Sequence, residues 1–101
     1  MNTLDLTSRL TTETIDGVTY NVVEFEMPDN DAFIYVNRDD VDENGDNVKI
    51  FSRIDSTMDY CLDYNGYLPG NTDFTLQYLK GIQIKFASIT PVSLVELAYA
   101  Q

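Results

Sequence analysis

Ile54-Asp55-Ser56-Thr57-Met58-Asp59-Tyr60-Cys61-Leu62-Asp63-Tyr64-Asn65-Gly66 is the one stretch of this 101-residue chain whose apolar residues recur at a clear helical interval. Ile54, Met58, Cys61 and Leu62 fall at i, i+4, i+7 and i+8, one face of a 3.6-residue repeat. Asp55 or Ser56 can cap the start, and Asn65-Gly66 supplies a stop. The pattern predicts a short amphipathic helix near 55–64, with Cys61 packed on its apolar side. On the polar side Asp55, Asp59 and Asp63 stand four residues apart. On a helix they form a carboxylate stripe rising about 6 Å per step.

Outward from this stretch the pattern is period-2. Leu4 and Leu6 suggest a first short strand. Thr11–Ile15 and Val18–Met27 flank Asp16-Gly17, a type I′ hairpin signal, because that turn needs φ > 0 at both central residues. The inward parity changes from Tyr20 and Val22 to Val23, Phe25 and Met27, so a β-bulge is expected near Val22-Val23, with Glu24 and Glu26 outward. Ala32–Asn37 and Val48–Ile54 read as a second hairpin with the polar tip Arg38–Asn47. Phe74, Leu76 and Tyr78 with Ile82, Ile84 and Phe86 read as a third, around Lys80-Gly81. Val92–Ala100 fits either a helix capped at Thr90-Pro91 or a strand alternating through Val95, Leu97 and Tyr99. The expected class is β-rich α+β: a mostly antiparallel sheet of about six strands with one helix, forming a single acidic globular domain over 1–101.

Composition narrows the chemistry. Seventeen acids against six bases give a net charge of −11, so the chain does not grip phosphates directly, which takes clustered Lys and Arg. There is no histidine, the usual general base and commonest metal ligand. The single cysteine, Cys61, excludes an internal disulfide and a Cys/His zinc site. No Gly-rich phosphate loop is present, Cys61 lacks a histidine partner, and nothing marks a sugar cleft around the outward Glu24 and Glu26. The expectation is a non-enzyme with no cofactor. The start lacks a signal-peptide pattern, and the most apolar stretch, Val92–Ala100, is far short of the roughly 20 residues of a membrane span. A cytoplasmic location is expected, in the host cell if the chain is viral.

The charge is uneven. Residues 29–46 hold Asp29, Asp31, Asp39, Asp40, Asp42, Glu43 and Asp46 against Arg38 alone, more than half of the net charge. Asp40, Asp42, Asn44 and Gly45 imitate the first half of an EF-hand loop, but Phe51 stands where the closing bidentate glutamate belongs. That leaves at most a weak calcium candidate at Asp40, Asp42 and Asn44. Asp39, Asp40, Asp42, Glu43 and Asp46, with the stripe Asp55, Asp59 and Asp63, can imitate spaced nucleic-acid phosphates. Tyr60 and Tyr64 are candidate anchors, since interfaces favour tyrosine. The leading expectation is a virus-encoded interaction protein that blocks a basic site on a DNA- or RNA-handling defence protein. The alternative is a virion decoration module that self-associates through Val92, Val95, Leu97 and Tyr99, its acids serving only to keep the surface solvated.

Overall fold

The computed structural model describes residues 1–100. Nine strands form two antiparallel sheets: β1 (Asn2–Asp5), β2 (Thr11–Ile15), β3 (Val18–Glu26), β4 (Ala32–Asn37), β5 (Asp46–Arg53), β6 (Cys61–Leu68), β7 (Asn71–Leu76), β8 (Gln83–Ser88) and β9 (Leu94–Tyr99). A single 3₁₀ turn, Thr7–Arg9, joins β1 to β2. One sheet has the order β1-β9-β4-β7 and the other β2-β3-β8-β5-β6. With β2 set aside as an added edge strand, the remaining eight follow the two-sheet order of a jelly roll. Among the described residues no helix is long and apolar enough to cross a membrane.

The core is the alternate-residue face of each strand. Val23, Phe25, Val48, Ile50, Ile84 and Phe86 of the larger sheet meet Ile34, Val36, Leu76, Val95 and Leu97 of the smaller one, and all are buried. The β2–β3 hairpin forms as expected, with Asp16 at φ 51° and Gly17 at φ 80°. The β-rich, antiparallel character also stands.

The helix over 55–64 does not form, which makes the class all-β. Residues 54–60 connect β5 to β6, and Cys61–Leu68 is an edge strand paired to β5. Ile54, Met58, Cys61 and Leu62, expected as a buried helical face, are all exposed. Two causes hide the strand. Asp, Ser, Thr, Tyr, Cys, Asn and Gly are all weak helix formers, so the apolar spacing has no propensity behind it. A β-bulge also breaks the strand's own alternation: Ile50 pairs with Tyr64 but Phe51 with Leu62, leaving Asp63 as the extra residue.

The bulge expected near Val22-Val23 is absent, since β3 pairs in unbroken register with both neighbours. Both parities are buried because both faces of β3 are covered. Val23 and Phe25 enter the core, while Tyr20 and Val22 pack outside with Ala87, Ile15 and Phe51. The second and third expected hairpins fail for a common reason. β4 and β5 lie in different sheets, as do β7 and β8, so their connections cross the sandwich instead of turning back. The C-terminal segment is a strand, hydrogen-bonded between β1 and β4. Val95 and Leu97 have no exposed surface to offer a second subunit, and Val92 and Tyr99 pack half-buried against the same core.

Candidate functional site: a carboxylate end and an aromatic cleft

The loop from Arg38 to Gly45 caps one end of the sandwich, and its only base points inward. Arg38 is 1% exposed. Its guanidinium donates to the carbonyls of Leu68, Pro69 (3.0 Å) and Asp46 and to Ser88 Oγ (3.2 Å). Burial lowers its pKa and the nearby Asp46 carboxylate opposes that shift; the guanidinium stays charged. The loop closes on itself through Asp42, whose carboxylate accepts the Asn44 N–H at 2.9 Å and whose carbonyl accepts the Gly45 N–H. It also closes on the β6–β7 connection, where the Arg38 N–H donates to the Gly70 carbonyl at 2.6 Å. A Cβ at Gly70 would run into the carbonyl oxygens of Arg38 and Val41, so only glycine lets the two chains approach this closely.

With Arg38 inside, the only charged side chains on the outer surface of the loop are acids. Asp39, Asp40, Asp42 and Glu43 are exposed. Asp46 is half-buried, and its pKa is lowered by the Thr90 hydroxyl first, then by the Asn47 N–H and Arg38. Among the described residues the one salt bridge in the molecule is Lys85–Glu13, on the far sheet.

A second acidic row, missed in the sequence, crosses the smaller sheet two residues short of the strand end that leads into this loop. Asp5 pairs with Glu96, Glu96 with Tyr35 and Tyr35 with Asp73, giving one cross-strand line on the outer face of the smaller sheet. Like charges placed directly opposite destabilise a sheet. Tyr35 is only two positions before Asn37, so the row stands about 7 Å from the strand end that leads into the loop. These acids lie far apart in the chain; only the outward parity of each strand hinted at them.

Of the five bases outside the loop, Arg9 is exposed at the end of the 3₁₀ turn that follows Asp5, and Lys80 is exposed beside Gly81. Lys49, Arg53 and Lys85 share the outer face of the larger sheet. There Lys85 and Arg53 lie 4.7 and 4.1 Å from the centre of the Tyr60 ring, and the Tyr60 hydroxyl donates to Glu24 at 2.8 Å. Burial and then Glu24 push the Tyr60 phenol up to about 12. Tyr60 is thus committed to this internal cluster.

Asp55, Asp59 and Asp63 do not form a stripe. Asp55 closes a turn by accepting the Thr57 N–H and hydroxyl, Asp59 is exposed in the connection, and Asp63 is the bulge residue of β6. Asp63 and Tyr64 instead meet in a cleft of about 430 Å³ between the edge strands of the two sheets, lined by Ile50, Ser52, Phe74, Thr75, Gln77 and Tyr78 as well. At the calcium candidate, Asp42 is engaged by the turn, and among the described residues no three acidic or thiol side chains are gathered as metal ligands. No protein-family model, curated protein or solved structure matches the chain.

Proposed function

We propose that this domain is a non-enzymatic interaction protein that imitates the phosphates of a nucleic acid and occupies a basic site on a DNA- or RNA-handling protein. The supporting observation is the inward-turned Arg38: the segment's only cation hydrogen-bonds to backbone carbonyls and a buried hydroxyl, while Asp39, Asp40, Asp42 and Glu43 face water on a loop held by the same contacts. Pre-ordered charges lose little entropy on binding, and an unneutralised field steers a basic partner. The row Asp5, Glu96 and Asp73 extends the anionic surface along the smaller sheet. The helical stripe has no part in this reading.

A variant with Asp39, Asp40 and Asp42 changed to Asn and Glu43 to Gln tests it. The variant should fold, because the amide oxygen that replaces the Asp42 carboxylate can still accept the Asn44 N–H. Its capture of basic nucleic-acid proteins should fall by at least about tenfold at low salt, chiefly through slower association. Capture equal to that of the parent would remove the loop from the site.

A further inference from the structure

The cleft between the two edge strands has a composition that the carboxylate end lacks. Tyr64, Phe74 and Tyr78 bring three aromatic rings to it, Asp63 brings one carboxylate, and no base lines it. Tyr64 and Phe74 stand tilted at 5.1 Å between ring centres. A Cβ at Gly66 would strike the Tyr64 ring, so the missing side chain allows that ring to lie along its own strand.

The carboxylate is aimed by the β-bulge, which inserts Asp63 into β6 and takes it out of the strand's alternation. Two hydroxyls then fix it. Ser52 Oγ and the Tyr78 hydroxyl both donate to Asp63 Oδ2, the second at 2.7 Å, which leaves Oδ1 for another donor. Burial, then the bond to Asp63, raises the Tyr78 pKa, so the phenol remains a donor throughout the physiological range.

We propose that this cleft receives an alkylammonium group, the side chain of a lysine on the partner's basic surface. The proposal rests on the reading above, because it assumes a basic partner, and it adds where one cation of that partner is held. The ammonium hydrogen-bonds to Asp63 Oδ1 while its methylenes and charge lie against the rings of Tyr64, Phe74 and Tyr78, the combination that favours organic cations. The size of the cleft falls within the range of small-ligand sites, roughly 300–1,000 Å³. An anionic ligand would meet the Asp63 carboxylate with no compensating base.

The test uses the isolated domain and small probes followed by amide NMR: Nα-acetyl-lysine methylamide, its trimethylated counterpart, and methyl glucoside as a neutral polyol. Both ammonium probes should give saturating millimolar shifts confined to residues 50–52, 62–66 and 74–78. Asp63→Asn retains an acceptor for Ser52 and Tyr78, and it should weaken binding of the acetyl-lysine probe by about tenfold or more, as expected for a hydrogen bond to a charged group. Binding of the trimethylated probe should weaken less, because that cation has no N–H to donate and is held by charge and the rings alone. Undiminished binding of the acetyl-lysine probe in Asp63→Asn, shifts spread over the whole acidic surface, equal binding of the glucoside, or no saturating shift would each overturn the proposal. Partner capture that depends on the loop acids while the cleft ignores ammonium would defeat the cleft alone. Ammonium binding without loop-dependent capture would defeat the loop alone.

Discussion

Arg38 organises the acidic end of the molecule through four guanidinium hydrogen bonds. It ties the start of the acidic loop to the β6–β7 connection and to Ser88 at the end of β8, and its Nε is the one buried side-chain polar atom without a partner among the described residues. Removing the guanidinium takes the donor from two buried acceptors, the Leu68 carbonyl and Ser88 Oγ, and from two part-buried carbonyls. Arg38→Met should therefore cost roughly 2–4 kcal/mol in urea unfolding, on the scale of a lost charged hydrogen-bond set. Arg38→Lys should recover only part of this, because an ammonium lacks the planar fork that reaches separate carbonyls. The Tyr60 phenol gives a pH test at the same scale. Its pKa in the fold is about 12, above its ordinary value of 10.0, so the native state holds the proton more tightly. That stabilisation is complete below pH 10 and is lost as pH rises from 10 towards 12. In Tyr60→Phe, the thermal midpoint should fall less steeply over that window, and ultraviolet titration should lose one late-ionising tyrosine.

β9 shows at the element scale what the apolar C-terminal stretch is for. It is hydrogen-bonded on both sides, and Val95 and Leu97 are fully buried. Deleting residues 94–101 removes these side chains from the core at about 1.5–3 kcal/mol each and also strips β1 of its partner. The truncated chain should show the circular dichroism and collapsed amide dispersion of an unfolded or molten protein; a folded, soluble truncation would contradict this assignment. β9 is half legible in the sequence, since period-2 and helical readings fit Val92–Ala100 equally and only its place between two strands separates them. The β2–β3 hairpin is fully legible because Asp-Gly acts locally. The β4–β5 and β7–β8 connections are not, since whether a strand turns back or crosses to the other sheet is set by non-local packing. β6 reads as a helix in the sequence because its bulge at Asp63 erases the alternation that marks a strand. The same bulge takes Asp63 into the cleft, so the residue that misleads the reading and the candidate contact coincide.

Across the whole molecule, half of the bases gather on one face, while Arg9 stands exposed four residues after Asp5. The loop end and the smaller sheet present Asp39, Asp40, Asp42, Glu43, Asp5, Glu96 and Asp73, while Lys49, Arg53 and Lys85 share the larger sheet's outer face with Glu13 and Glu24. The acidic loop is legible from composition alone; the Asp5–Glu96–Asp73 row is not, because strand pairing assembles it from opposite ends of the chain. An acidic surface that only maintains solubility has no particular partner, whereas one that imitates phosphates competes with the polymer it imitates. Displacement by nucleic acid separates the two most directly. Proteins captured on the immobilised domain at low salt are challenged with increasing double-stranded DNA or RNA, at constant ionic strength, and their release is followed. Phosphate mimicry predicts release of a basic nucleic-acid-handling protein at a concentration set by its own affinity for the polymer, and no capture by the variant neutralised at Asp39, Asp40, Asp42 and Glu43. Retention of the partner under saturating nucleic acid, or equal capture by the neutralised variant, would contradict it.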